Sequence, residues 1–596
     1  MVVSTLLILL FYGLCLGALL CDGGCGRLAR GARSLSLSQW VALALIAGGF
    51  MAFVCYWPRQ DRFVYFWDYA HYWGKSIKRM RFMGENTLSE IFKTLYQSIN
   101  KDDYNNFLPT LLALPLRLLG YSFPRYVVIC CTLFLLPSLF VQGLIVVKLA
   151  RLGGRGRGWL YVACVAAALC LPNNYYPVFR GYIDVAFLLP MSCAMYLLVD
   201  YDFRRIAPLK NAVIAFLLVL IWVCRRYAVY FVIGYVVALG VRAVSVLIAC
   251  KSLKPMKAIV VDFLMIGGIS LGLLLLFFRG FFLHALLTDF GQMYSAYNGT
   301  IRGKVMELVG TFGGITAALI LVSGILCLAT GRQVGNCVAL LAMVIIEPLL
   351  FWQTQNMGMQ HRMLLNVPIQ VLCALPLAHW PNAARPRGRG ALAQRTAAGL
   401  CAVAMLSNFA MAFGDFLPAT GCGTVFSERY APYRRDDIEA LRTLAGKLNA
   451  LTRGSKRRVY VAASGLVLNS DILKKLNMPQ EDNAVPNMYP TRDVDLRDGF
   501  PKNFLKARYV VATDPIQLHL PSGQEVVSYL SALVQDPDSF LGRHFKPIDE
   551  VTLDQGVVAR IYERTEAFTE EDLQQLRDYY TNLYPGHEKL FADRIG

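Results

Sequence analysis

The chain has 596 residues, 56% of them hydrophobic, and a formal net charge of +19, with a mean hydropathy of +0.44. A soluble chain of this length would not have enough polar surface at that composition, so a membrane protein is indicated. The charge is unevenly split: residues 1–415 carry 36 Lys and Arg against 15 Asp and Glu, whereas residues 416–596 carry 23 against 25. The positive excess thus belongs to the apolar half, where it marks loops beside a bilayer, and nucleic-acid binding is a poor explanation of it.

A spanning helix takes about 20 apolar residues. Taken in order, the apolar runs are 2–20, 38–57, 124–149, 158–172, 183–200, 211–224, 228–249, 258–278, 306–330, 336–351, 363–380 and 397–415, which predicts about twelve spans. The first has no basic stretch before it and no A-x-A-like site after it, so it reads as a retained span rather than a signal peptide. All 16 cysteines lie at or before Cys422, mostly inside these runs (Cys130, Cys164, Cys193, Cys327), as packing thiols do. The glycines of GTFGG (310–314) read as close helix packing.

Arg27, Arg30 and Arg33 follow the first run, Arg151, Arg155 and Arg157 the third, Arg204, Arg205 and Lys210 the fifth, and Lys251, Lys254 and Lys257 the seventh. Arg385, Arg387, Arg389 and Arg395 precede the last. With simple alternation all of these fall on one side. The positive-inside rule makes that side the cytoplasm, with both termini and residues 416–596 outside. The division expected is 1–37 as an extra N-terminal helix and cytoplasmic loop, 38–415 as a membrane domain with a first outer loop over 58–123, and 416–596 as a soluble domain. Within that loop 107–120 is apolar but short, with Pro109 and Pro115, and is predicted to lie in the interface.

Ionisable groups at a membrane boundary are costly, which makes each a functional candidate. Asp68 stands out within Phe66-Trp67-Asp68-Tyr69-Ala70-His71-Tyr72-Trp73. Partial desolvation by the rings favours the protonated carboxyl and so makes it a better base. Trp67, Tyr69, His71, Tyr72 and Trp73 would offer rings to sugar faces; an aromatic belt with an incidental acid accounts for the pattern equally well. Asp184, in Arg180-Gly181-Tyr182-Ile183-Asp184, reads on its own as an acid near a helix start. Arg180, Arg225, Arg226, Arg279, Arg302, Lys304 and Arg362 fall in outer segments against the charge trend. They form a candidate lining for phosphate, for which the guanidinium fork is suited; snorkelling to headgroups would explain about half of them. Gln360 and His361 precede Arg362 at the start of a run and add polar contacts there.

The acidic F-W-D-Y-A-H-Y-W segment resembles the acidic motif in the first outer loop of the GT-C superfamily, integral membrane glycosyltransferases that use polyprenyl-phosphate-linked sugars. Protein O-mannosyltransferases and the lipid A aminoarabinose transferase are members. Tyr104-Asn105-Asn106-Phe107-Leu108-Pro109 through Leu119-Gly120-Tyr121-Ser122 is similar to the family's interfacial segment. Arg180–Asp184 is similar to its G-x-x-D stretch, and Gln360-His361-Arg362 to a late polar cluster. The resemblance covers about 38–415. It implies an inverting transfer in which Asp68, with Asp184 as a second catalytic candidate, deprotonates an acceptor hydroxyl. Arg180, Arg225, Arg226, Arg302, Lys304, His361 and Arg362 would hold the donor phosphate, and Trp67, Tyr69, His71, Tyr72, Trp73 and Gln360 the sugar or acceptor. Implied partners are a polyprenyl-phosphate sugar and a glycan, lipid or protein acceptor of the cell envelope. Many members carry two adjacent acids where this chain has Asp68 followed by Tyr69. No metal is therefore assigned, and a divalent ion is left open without support from any ligand pattern. Short loops rich in Arg, Gly and Ala suggest a bacterial source.

In the C-terminal part, 427–447 reads as a linker and helix, 458–463, 507–512 and 557–563 as strands, and 570–583 as a helix, which predicts a small α/β domain. An accessory role in acceptor binding suits it better than catalysis. A transporter or flippase for lipid-linked sugars remains an alternative, although it would favour internal repeats and charges deep in the spans. A polysaccharide polymerase or ligase is another, and would favour a late, large outer loop.

Overall fold

The apolar runs do form helices, and their ends follow local chemistry. Leu37–Tyr56 starts at a capping box of Ser36 and Gln39, and Leu88–Lys101 at one of Thr87 and Glu90. The computed structural model describes residues 1–21, 33–150, 156–378, 389–415, 418–480 and 483–596; Cys25, Arg27, Arg30, Arg151, Arg155, Arg385 and Arg387 lie outside the described residues. The chain divides into two units: Met1–Arg59, Lys75–Thr288 and Gly299–Ala431 form the first, and Gln60–Gly74, Asp289–Asn298 and Pro432–Gly596 the second.

The first unit is helical. Among the described residues, eight of its helices are long and apolar enough to cross a membrane: Val2–Cys21, Leu37–Arg59, Phe123–Ala150, Arg226–Cys250, Met256–Phe277, Val334–Phe351, His361–Ala378 and Arg395–Phe413. Counting two bent pairs as one span each raises the number to ten among the described residues, against the twelve or so expected from hydropathy. The difference has local causes. Segments 183–200 and 211–224 become the shorter helices Ile183–Leu198 and Pro208–Cys224. The run 158–172 is part of a pair that bends by 73° at Pro172, and 306–330 bends by 85° at Gly313.

The second bend is imposed by tertiary packing. Gly313 has φ +78°, a left-handed conformation that a side chain would strain. A Cβ there would lie 2.8 Å from the backbone of Phe426 and Ser427. That same strand of chain takes the amides freed by the break: Gly314 N–H donates to Thr424 O (2.7 Å) and Ile315 N–H to Val425 O (2.9 Å). The GTFGG glycines therefore admit the turn over 421–426, not a second helix. Most of the described cysteines are buried.

The second unit is a three-layer α/β fold. Its sheet runs β1 (Val459–Ala462), β2 (Tyr509–Asp514), β4 (Val558–Arg564), β3 (Phe545–Thr552), with β1 and β2 parallel and the other neighbours antiparallel. Alternate residues serve opposite cores, as strand pleating requires. Val459, Val461, Tyr509, Val511 and Ile561 share one core with Leu441, Leu444 and Leu448 of helix Ile438–Thr452. Tyr460, Ala462, Val510, Ala512 and Tyr562 share the other with Val526 and Leu530 of Glu525–Gln535 and Tyr580 of Glu570–Leu583. The strands expected at 458–463, 507–512 and 557–563 and the helix at 570–583 are present. The fourth strand, β3, was not foreseen because it is an edge strand with mostly exposed residues and an irregularity at Pro547. Val64 and Phe66 also enter the first core, so the segment carrying Asp68 folds with the second unit rather than with the helices that flank it in sequence.

Candidate functional site

In the first unit a short turn follows Pro208–Cys224 and brings Arg225 inward. Its Nε lies 2.7 Å from Asp184 Oδ1, with side chains 7% and 0% exposed, so this is a buried ion pair. The Tyr227 hydroxyl donates to the same carboxylate. The Tyr227 ring meets His361 edge-on, with centroids 4.4 Å apart, and its hydroxyl lies 3.4 Å from Gln360 O. His361 Nδ1 accepts from the Gly358 amide at 3.0 Å. Thus Asp184, Arg225, Gln360 and His361 form one network, buried at Asp184, Arg225 and Gln360 and partly buried at His361. Asp184 is held by a guanidinium and a phenol.

The other cations are also engaged. Arg362 donates to Met357 O (2.8 Å) and Thr311 Oγ1 (2.6 Å) and pairs with Glu307 (3.1 Å). Lys304 donates to Trp352 O at 3.0 Å, and Arg226 pairs with Asp103, which His284 Nε2 also meets at 2.9 Å. Arg180 is buried, donates to Ala431 O (2.6 Å) and lies over the Tyr176 ring. Arg279 and Arg302 are exposed on the surface of this unit. An apolar groove of about 890 Å³, lined by Ile315, Leu319, Val322, Leu400, Val403 and Phe426, runs between Gly314–Thr330 and Arg389–Phe413. Its apolar lining suits an acyl or prenyl chain.

Among the described residues of this unit, two acids passed over in the sequence are fully buried: Asp262, which accepts from Asn211 Nδ2 at 2.6 Å, and Glu347. The available signal was a lone acid within an apolar run, the pattern expected of functional groups in membranes. Gly234 leaves room for Glu347, since a Cβ there would lie 2.8 Å from its side chain.

In the second unit Asp68 occupies the first turn of helix Trp67–Glu85, where an acid favours the helix dipole. Asp68, Trp67 and Tyr69 are partly exposed and His71 is exposed, whereas Tyr72 and Trp73 are only 2% and 3% exposed. The last two therefore leave little of either ring open. Trp67 has φ +45°, and its amide donates to Asp471 Oδ2 at 2.6 Å, which holds the indole against the His519 imidazole, centroids 4.7 Å apart.

His519 belongs to a polar cluster that sequence reading missed, beyond the carboxyl ends of β1 and β2. Ser464 Oγ donates to Asp493 Oδ2 at 3.1 Å and lies 2.8 Å from His519 Nδ1. Arg497 joins Asp493 (2.6 Å), Asp498 (2.8 Å) and the Tyr297 hydroxyl (3.1 Å). Burial, with Asp493, Asp498 and Asp68 nearby, pushes the Tyr297 hydroxyl up to about 12. A carbonyl can only accept, so the 3.0 Å contact of His519 Nδ1 with Ser464 O assigns the ring proton to Nδ1 and leaves Nε2 an acceptor, 3.4 Å from the Tyr297 hydroxyl. This is not a hydrolytic triad: the carboxylate binds the serine rather than the histidine, and Ser464 is fully buried. Among the described residues no group of three His, Cys, Asp or Glu side chains could hold a metal ion.

The cluster gives a pH prediction. Burial raises the Asp493 carboxyl to about 6, so its contribution to stability is present below the unfolded value near 4 and is lost as pH rises through 6. Burial lowers His519 to about 4, so its contribution is present above the unfolded value near 6.5 and is lost as pH falls through 4. Between pH 4 and 6 the two oppose each other. In hydrogen exchange at β1 and β2, His519→Asn is expected to gain protection as pH falls from 6 to 4 and Asp493→Asn to lose it, by up to about 1.4 kcal/mol per pH unit. Equal slopes in both variants and the parent would contradict these protonation states.

Searched against protein-family models and against curated proteins, the chain matches none.

Proposed function

We propose that the protein is a membrane glycosyltransferase of GT-C type, transferring a sugar from a polyprenyl-phosphate carrier to an extracytoplasmic acceptor. The observation that carries this reading is Asp68, a partly exposed carboxylate at a helix start beside Trp67 and Tyr69, in a chain with eight to ten membrane-length apolar helices. Asp68 takes the proton of an acceptor hydroxyl as its oxygen bonds to the anomeric carbon. The bond from that carbon to the phosphate oxygen breaks with inversion, and the carrier phosphate leaves with the electron pair. Arg180, Arg225, Arg226, Arg302, Lys304, His361 and Arg362 are the groups assigned to its charge, and the buried Asp184–Arg225 pair keeps one guanidinium in place. The apolar groove would take the carrier tail. A transporter reading is less favoured because the second unit folds around the segment that carries Asp68.

Mass spectrometry of lipids copurifying with the protein should find a polyprenyl phosphate or its glycoside, and purified protein should transfer sugar from such a donor. A protein that carries no such lipid and transfers nothing overturns the reading. The topology is tested separately by thiol labelling in intact bacterial cells. Cysteines introduced at 155 and 388, with accessible native thiols blocked first, should resist an impermeant reagent, whereas one at 480 should react. Labelling at 155 with protection at 480 would invert the orientation.

A further inference from the structure

We infer that the second unit carries a binding site for an uncharged saccharide, built by Trp67, Tyr297, Asp493, Arg497 and His519 beyond the carboxyl ends of the parallel strands β1 and β2. The inference rests on the transferase reading only in taking that saccharide to be part of the acceptor.

Position is the first argument. In sheets with parallel strands, ligands bind outside the carboxyl ends, where loops diverge and polar backbone is exposed. Ser464 follows β1 and residues 515–519 follow β2 directly, so this cluster occupies that place.

Composition is the second. Polyol recognition needs planar polar side chains whose paired atoms match neighbouring hydroxyls, and an aromatic face for the C–H side of the ring. Asp493, Arg497 and His519 supply the planar groups, and their shared bonds hold them rigid. The Asp493 and Arg497 side chains keep 13% and 30% exposure, so part of each still faces solvent. Gln524 braces the cluster from behind through Asp493 O (2.6 Å) and Ser464 Oγ (3.1 Å). Trp67 and Tyr297 supply the rings, and the left-handed backbone at Trp67, clamped by Asp471, fixes where the indole stands. Strain of this kind persists where the surroundings over-determine it.

Charge sets the ligand class. Asp68, Asp493 and Asp498 are balanced by Arg497 together with Arg492 and Arg594, which both donate to Asp498 O, and His519 is neutral at pH 7. With acids and guanidinium groups balanced, no net charge draws a phosphate or an acidic sugar, whereas an uncharged sugar can donate hydroxyls to the carboxylates and to His519 Nε2.

The test uses the full chain in lipid nanodiscs, so that no glycoside detergent competes, with saturation-transfer NMR as the readout. The probes are a panel of methyl hexosides and pentosides, with glucosamine and inorganic phosphate as comparison arms. At least one uncharged glycoside should receive saturation. Its affinity should fall about two- to tenfold in Tyr297→Phe, which removes one oxygen, and by a similar factor in His519→Asn, which keeps a donor at the Nδ1 position and deletes Nε2. Hydrogen exchange at β1 and β2 verifies that both variants are folded. The inference is overturned if no glycoside binds, if phosphate or glucosamine binds and the uncharged glycosides do not, or if both variants bind as the parent does. The assay needs neither donor nor turnover. Lost binding with Asp68-dependent transfer intact removes this site alone, and retained binding without transfer removes the transferase reading alone.

Discussion

Asp68→Asn is expected to insert, purify and bind a lipid-linked donor like the parent while losing about 100- to 10,000-fold in turnover, the usual consequence of removing a general base. Asn keeps the shape and hydrogen-bonding reach of the carboxylate but takes no proton at neutral pH. The fold should be little affected, since Asp68 is partly exposed and the anchoring of its segment comes from Val64 and Phe66 in the core. Single-turnover transfer with purified, donor-supplied protein measures the effect. Near-parental turnover would sink the base mechanism and favour a carrier, which has no proton to abstract there.

The second large effect concerns the Asp184–Arg225 pair. Both groups are almost fully buried, so removing either one leaves the other as an uncompensated charge, at a cost of about 3–5 kcal/mol. Arg225→Ala and Asp184→Asn should each lower the thermal midpoint sharply and reduce the monodisperse fraction in size-exclusion chromatography. A double variant, Asp184→Asn with Arg225→Gln, should recover much of that loss, because two neutral amides can bond to each other. Turnover per folded molecule should fall less in Asp184→Asn than in Asp68→Asn, since Asp184 is already bonded to Arg225 and Tyr227. Single variants as stable as the parent would show that the pair carries no structural weight.

Much of this architecture could be read locally. Apolar runs long enough to span a bilayer announce themselves without any partner, because hydropathy is a property of neighbouring residues. The same holds for β1 and β2, continuous apolar strands buried on both faces, and for helix Glu570–Leu583, which opens on a capping box of Thr569 and Asp572. Asp68, Asp184 and the outer arginines were conspicuous as charges where charge is costly.

What sequence could not supply were contacts between residues far apart in the chain. Trp67 is bonded to Asp471, 404 residues away, and nothing in either segment's own pattern encodes that clamp. Whether a ring in the F-W-D-Y-A-H-Y-W stretch offers a face or fills a core is decided by what surrounds it, which is why Tyr72 and Trp73 turned out buried while Trp67 and Tyr69 stayed partly exposed. The break at Gly313 likewise depends on residues 424–427 reaching its amides. Ser464, Asp493, Arg497 and His519 are ordinary loop residues by composition and become a cluster only when the sheet brings its strand ends together. Local chemistry thus determined the elements and the conspicuous charges. The partners of those charges, and with them the candidate sites, were decided by tertiary packing, because hydrogen bonds and ion pairs depend on distance in space rather than along the chain.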